Sequence, residues 1–250
     1  MTVLIATSTN EYDPTEVAVP WKILKEAGYK VVFATDTGKP GTADQRMLNG
    51  NKFGILKRLL IADKSGQQAY CEMLQDHAFQ NPMHYRDIKA GGLEGLVLPG
   101  GHAKGIIPYL ESQILQKAIA EFFLKDKPVA AICHGVVAAC RARNLKTGKS
   151  VLYKRKTTAL LKRQEMLAYQ VTRWNLGDYY RTYPKTVEDE VVENLHSASD
   201  FIHGPLPLLR DDMKHLSRGF TVRDGNYLSA RWPGDAHRFA CDFIKILKEA

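Results

Sequence analysis

No run of 18 consecutive apolar residues occurs in the 250-residue chain, so no transmembrane helix is expected. The opening Thr2-Val3-Leu4-Ile5-Ala6 has neither a basic flank nor a small-residue cleavage site, which argues against a secretory signal. Cysteine is scarce and scattered: Cys71, Cys133, Cys140 and Cys241 form no C-x-x-C pair. A disulfide framework is therefore not expected, and reduced thiols in a cytoplasm fit better. Neither a G-x-G-x-x-G nor a P-loop pattern is present, so no organic cofactor is implied. His77 and His84, His196 and His203, and the Cys133-His134 pair all lack zinc-ligand spacing, and no metal is expected. Internal repeats and low-complexity tracts are also missing.

What is present is an ordinary globular composition, 44% apolar and 25% charged, enough for a sizeable core in one domain spanning 1–250. The formal charge of +8 draws on Lys154-Arg155-Lys156 and Lys162-Arg163. These cations lack interleaved aromatic platforms, so they read as a solvated basic face and no nucleic-acid partner is expected.

Thr2 to Thr7 reads as a buried strand. A helix follows from Thr15, with Val17, Trp21, Leu24 and Ala27 at helical spacing, Gly28 as its stop and Pro20 as a kink. Tyr29 to Thr35 is a second strand, giving a β-α-β unit and hence a parallel sheet. Residues 38–92 are too many for a simple crossover. With helices expected at Leu56 to Leu60 and Ala69 to Leu74, they read as an inserted cap after the second strand. Leu96-Val97-Leu98 is a third strand, broken by Pro99-Gly100-Gly101. An amphipathic helix from Glu111 leads to a fourth strand, Val129 to Ile132, and a further helix begins at Val136. The segment from Ser150 to Pro184 has no clear assignment. Beyond it, Thr186-Val187-Glu188-Asp189 starts a helix, Asp224-Gly225 turns a hairpin, and a last helix runs from Asp235.

Chemistry concentrates where the fourth strand bends into its helix. A cysteine there is exposed and its thiolate is favoured by the helix N-terminus, although Cys133 equally reads as the last core position of the strand. His134 is either a base or only a source of a backbone N–H. An oxyanion beside Cys133 would need two donors, and the amides of Gly101 and His134 are the candidates if both strand ends meet at the sheet's carboxyl edge.

Glu16 and Pro20 before Ala27-Gly28-Tyr29, then Leu98-Pro99-Gly100-Gly101-His102, then Ala131-Ile132-Cys133-His134-Gly135 occur in an order that resembles the ThiJ/PfpI superfamily. Arg231-Trp232-Pro233-Gly234-Asp235-Ala236-His237 resembles that family's closing segment. The resemblance implies the class I glutamine amidotransferase-like fold: an α/β three-layer sandwich, flavodoxin-like, around a mostly parallel sheet. It also implies Cys133 as nucleophile, His134 as base, and Glu16 hydrogen-bonded to the sulfur instead of a surface charge in a first helical turn. His102 and the long insertion look like the larger heat-shock chaperone and glyoxalase III branch.

That branch completes its site with an acid 25 to 35 residues past the cysteine, where only Glu165 stands, in basic surroundings that read better as an exposed helix charge. Asp178 is the other candidate. The function implied is cysteine-dependent chemistry on a small-molecule substrate of the methylglyoxal type, without added cofactor. Amide or peptide hydrolysis through a thioester, and a holding chaperone or redox sensor, stand as alternatives. The resemblance further implies a homodimer.

Overall fold

A computed structural model describes residues 1–53 and 57–250, the side chains of 58 and 59 excepted. The strands are β1 (Thr2–Ala6), β2 (Asn10–Tyr12), β3 (Lys30–Thr35), β4 (Thr42–Ala43), β5 (Met83–His84), β6 (Gly95–Leu98), β7 (Val129–Ile132), β8 (Thr221–Asp224) and β9 (Tyr227–Ala230). The helices are α1 (Pro14–Glu26), α2 (Gln45–Asn49), α3 (Lys57–Leu60), α4 (Lys64–Met73), α5 (His77–Gln80), α6 (Ile107–Glu111), α7 (Gln113–Leu124), α8 (Gly135–Arg141), α9 (Lys162–Leu176), α10 (Val187–Asn194) and α11 (Ala236–Glu249).

Apolar strands demand cover on both faces, and the chain supplies it. Seven strands form one sheet in the order β5-β3-β1-β6-β7-β9-β8, parallel throughout except for β8 against β9. Helices α1 and α11 pack together on one face, with α4 against α1, while α6, α7, α8 and α10 gather on the other. The mostly parallel three-layer α/β architecture read from the sequence is the one observed. Because β1 pairs with β3 on one side and β6 on the other, the crossovers diverge between β1 and β6. A crevice therefore opens at the carboxyl ends of β1, β6 and β7, where Ser8, Pro99 and Cys133 emerge.

Several elements fall where the apolar spacing puts them, including β7 at Val129–Ile132 and the β8–β9 hairpin. Helix α1 runs unbroken past Pro20. In the insertion, Leu56 of the expected Leu56 to Leu60 helix lies outside the described residues, and α3 covers Lys57–Leu60. Residues 38–92 also do more than cap: α4 packs on α1, and β5 extends the sheet edge. The unassigned 150–184 stretch contains α9, a 15-residue helix.

The elbow after β7 leaves the least freedom. A Cβ on Gly135 would lie 2.0 Å from the Leu98 carbonyl oxygen, so only glycine lets α8 start this close to β6. The backbone relieves the bend one residue earlier, where Cys133 takes φ 57°, a left-handed conformation rare outside glycine. Gly135→Ala is expected to lower the free energy of unfolding by about 3 kcal/mol or more, measured by urea denaturation. A loss below about 1 kcal/mol would mean that the β6–α8 approach can relax.

Candidate functional site

The crevice is built from the N-terminus of α1 upward. Asp13 caps that helix, its Oδ1 accepting from the amides of Thr15 (2.8 Å) and Glu16 (3.0 Å), with Pro14 at the first helical position. The cap aims Glu16 inward, where it is fully buried. Its Oε2 accepts from the Gly100 amide at 2.8 Å, and the Gly100 carbonyl accepts from the Asp13 amide at 3.0 Å. This pair of bonds staples α1 to the loop after β6. A Cβ on Gly100 would sit 2.7 Å from the His134 amide and 3.1 Å from Cys133 Cβ, so the Pro99-Gly100-Gly101 loop and the cysteine elbow are in direct apposition.

Cys133 is 4% exposed and its sulfur lies 3.6 Å from Nδ1 of the buried His134. Burial, then the Glu16 and Asp13 carboxyls, push its thiol well above the usual range. The thiolate expected at a helix N-terminus is thus not the resting form: desolvation and two nearby acids outweigh the dipole of a seven-residue helix. Glu16 is likewise held well above its usual value, by burial and then by Asp13. Its Oε1 has no hydrogen-bond partner among the described residues, and the Cys133 thiol is near enough to the carboxyl to oppose part of that rise. A protonated Glu16 beside a neutral thiol avoids two like charges in one buried corner. Asp13 itself is pushed up to about 6 by burial, the bonds from Glu16 and the Arg210 charge opposing.

Beyond His134 stands a second layer. The His102 ring lies 5.2 Å from the His134 ring and 5.5 Å from Tyr180. Burial and then the Arg181 charge bring His102 down to about 4, while burial, then His102 and Arg141, hold His134 well below its usual range. Both rings are therefore neutral near pH 7. Glu165 joins them: one of its carboxylate oxygens and one ring nitrogen of each histidine all fall within 4.8 Å of one another.

This corrects the exposed-charge reading of Glu165, which is 1% exposed. Its Oε1 accepts from Arg181 Nη1 at 3.0 Å and its Oε2 from the Val187 amide at 2.8 Å. The expectation failed because the run of cations next to Glu165 points to solvent while Glu165 itself faces inward on α9. Asp178, the other candidate acid, is exposed and paired with Lys104. The His102, His134 and Glu165 trio has donor atoms a metal could use, but Arg181 and Val187 already occupy both carboxylate oxygens.

Above Cys133 lies a cavity of about 310 Å³. Its floor includes Asp13, Glu16, Gly101, His102 and Cys133, and its walls are mainly apolar. Met47, Phe53 and Leu60 reach it from the insertion, Leu167 and Val171 from α9, and Pro207, Leu208 and Arg210 from a strap before β8. The strap is fixed from the C-terminal segment: Arg231 Nη1 donates to the Pro205 carbonyl at 2.5 Å, and Asp211 accepts from the His237 and Arg238 amides. Arg231 is itself locked in a buried pair with Asp235, Nε to Oδ2 at 2.9 Å. Sequence reasoning missed Asp13, Arg210 and the role of α9. The Asp13-Pro14-Thr15-Glu16 start carries a helix-capping signal, whereas the Pro205 to Arg210 stretch has no periodicity to read.

Two measurements test the electrostatics. Glu16→Gln removes the acid without changing the outline, so the pH midpoint of Cys133 alkylation, followed by mass spectrometry of its peptide, should move down; an unchanged midpoint would remove Glu16 from the account. Glu165, raised to about 7 by burial, keeps in the folded state a proton that the unfolded chain releases near its ordinary value. Its contribution to stability is therefore full below the unfolded value and falls as pH rises from about 4.5 to 7, by of order 3 kcal/mol at most. The fall in unfolding free energy over that window should be shallower in Glu165→Gln than in the parent; equal slopes would contradict the burial argument.

The chain is similar to known proteins in sequence and in fold. A family model described as ThiJ/PfpI family-like matches residues 7–205. A glutathione-independent glyoxalase of Schizosaccharomyces pombe is 26% identical, over 92% of this chain and 85% of its own. A deglycase of Pyrococcus abyssi is 23% identical, over 99% of this chain and 100% of its own. Among solved structures, glyoxalase III from Candida albicans superposes with a TM-score of 0.69 at 18% identity, covering 98% of this chain and 97% of that one, a likeness of fold. With the match extending over most of the sequence and the parallel sheet in place beneath it, the chain belongs to the ThiJ/PfpI family.

Proposed function

We propose that the protein is a cysteine-dependent enzyme that converts small 2-oxoaldehydes of the methylglyoxal type to 2-hydroxy acids, with no added thiol or other cofactor. The observation that carries this reading is the Cys133 thiol on the floor of a largely apolar cavity, its sulfur 3.6 Å from His134 Nδ1. Relatives named glutathione-independent glyoxalase and deglycase support it.

In this scheme the sulfur adds to the aldehyde carbon as His134 takes the thiol proton. A C–S bond forms and the carbonyl electrons move to oxygen, facing the amides of Gly101 and His134. Transfer of the C1 proton through an enediol to C2 then leaves a thioester of the 2-hydroxy acid, and water releases the acid and restores the thiol. C1 is oxidised as C2 is reduced, so no outside oxidant enters. Neutral His134 is able to accept the proton, and Glu16 holds the thiol in place by its own hydrogen bond. Glu165, at the back of the two histidines, completes the polar layer.

Hydrolysis of amides through a thioester requires an acid ordering the histidine, and among the described residues no carboxylate hydrogen-bonds the His134 ring. That weakens the hydrolase reading. The exposed Leu206, Leu208, Leu209 and Met213 support a second one, a holding chaperone whose strap binds exposed apolar client segments. We take the working assembly to be a cytoplasmic homodimer, which light scattering tests.

Purified protein should consume methylglyoxal and form lactate without added thiol, and Cys133→Ala should lower turnover by roughly a thousandfold or more while keeping the parent's circular dichroism. Retained activity in the variant would refute the scheme. Suppression of a model client's aggregation by Cys133→Ala, with no turnover by the parent, would favour the chaperone.

A further inference from the structure

Methylglyoxal fills little of the space available. Its five heavy atoms compare with a cavity of about 310 Å³, room for on the order of ten water-sized units. The remainder is lined mainly by apolar side chains, among them Met47, Phe53, Leu60, Leu167, Val171 and Leu208, against which an alkyl chain gains by leaving water.

The polar groups in this wall are few: the Thr172 and Tyr180 hydroxyls are hydrogen-bonded within the protein, whereas Gln164 Oε1, Arg210 Nη1 and Trp232 Nε1 are buried without a partner among the described residues. Two of these three are donors, Arg210 Nη1 and Trp232 Nε1. The two side chains are neighbours, with the Arg210 guanidinium carbon 5.4 Å from the Trp232 ring centroid. Neither nitrogen can accept, so both require an acceptor, and unpartnered buried donors are uncommon in folded proteins. Arg210 Nη2 is already committed to the Ile61 carbonyl, which fixes the guanidinium in place. The Arg210 charge is also felt by Asp13 and Glu16, which places it on the reacting side of the cavity.

We infer that the preferred substrate is a 2-oxoaldehyde with an apolar chain longer than a methyl group, its chain against Met47, Phe53, Leu167 and Val171 and its ketone oxygen accepting from Arg210 and Trp232. The inference rests on the proposed oxoaldehyde chemistry and adds the class of side chain and the residues that select it. The donors do a second thing. As the C1 proton leaves and the enediolate forms, negative charge builds on the C2 oxygen, and a fixed guanidinium stabilises it until that oxygen is protonated and C2 takes up its proton, without taking part in bond making.

The test compares kcat/KM for methylglyoxal, 2-oxohexanal and 2-oxooctanal, following 2-hydroxy acid formation. Each added methylene should raise kcat/KM about fourfold until the cavity is full. 2-Oxohexanal should therefore exceed methylglyoxal by at least about tenfold. In Val171→Phe, which fills the wall, that ratio should collapse. Arg210→Met should lower kcat/KM for each oxoaldehyde about tenfold or more, with Arg210→Lys recovering part of the loss. Methylglyoxal as the best substrate of the three, with a flat or falling series, would overturn the inference and leave the proposed function standing.

If none of the three is turned over, the proposed function fails, and binding decides the rest. Saturable quenching of tryptophan fluorescence by 2-octanone, lost in Trp232→Phe and weakened in Arg210→Met, would still establish the apolar ketone site. Absence of saturable quenching would overturn it.

Discussion

The site depends on one steric contact, the passage of Gly135 beneath the carbonyl of Leu98. With no room for a side chain there, α8 begins hard against β6, and the turn must be made by Cys133 in a left-handed conformation. Such a conformation costs of order 1–3 kcal/mol, and it persists because the surroundings over-determine it. The Cys133 amide donates to Ala230 in β9, the Cys133 carbonyl accepts from Val136, and Gly100 closes the remaining side. The sulfur is thereby set above the strand ends with little freedom to move. Moving the elbow would also separate Gly100 from His134 and break the register on which Glu16 relies.

Around that fixed sulfur the charges are balanced by withholding protons from water instead of by forming an ion pair. Asp13, Glu16 and Cys133 are three buried acids in one corner, with Arg210 as the nearby cation. Ionising all three would place three like charges in a medium that screens poorly, so protons stay on the carboxyl and the thiol. A substrate that arrives neutral meets a neutral site, and charge separates only as bonds change. The two histidines fit the same pattern, being kept uncharged by burial and by the cations behind them.

Much of this was legible before any coordinates. The apolar strands, the Pro99-Gly100-Gly101 break and the Cys133-His134-Gly135 bend are local patterns, and local patterns survive folding. Glu16 was readable because its motif fixes both its spacing and its helix. What the sequence concealed was set by distance along the chain. Glu165 sits in a run of cations that face water, and its inward aim follows from how α9 lies against α10, which no local periodicity encodes. Thiol acidity was misjudged for a related reason: the helix N-terminus is visible in the sequence, but Asp13 and Glu16, over a hundred residues earlier, are the groups that oppose it. Arg210 belongs to a proline-broken strap whose place is decided by Arg231, Asp235 and Asp211.

That strap makes the cover over the cysteine a long-range construction. Its anchor points include Arg231, Asp235, His237 and Arg238, while the sulfur it covers belongs to residue 133. The cover and the elbow share one stretch of chain: Ala230 of β9 receives the Cys133 amide, and the next residue, Arg231, holds Pro205. The turn that sets the sulfur and the wall that screens it are therefore coupled, and loosening the end of β9 releases both at once.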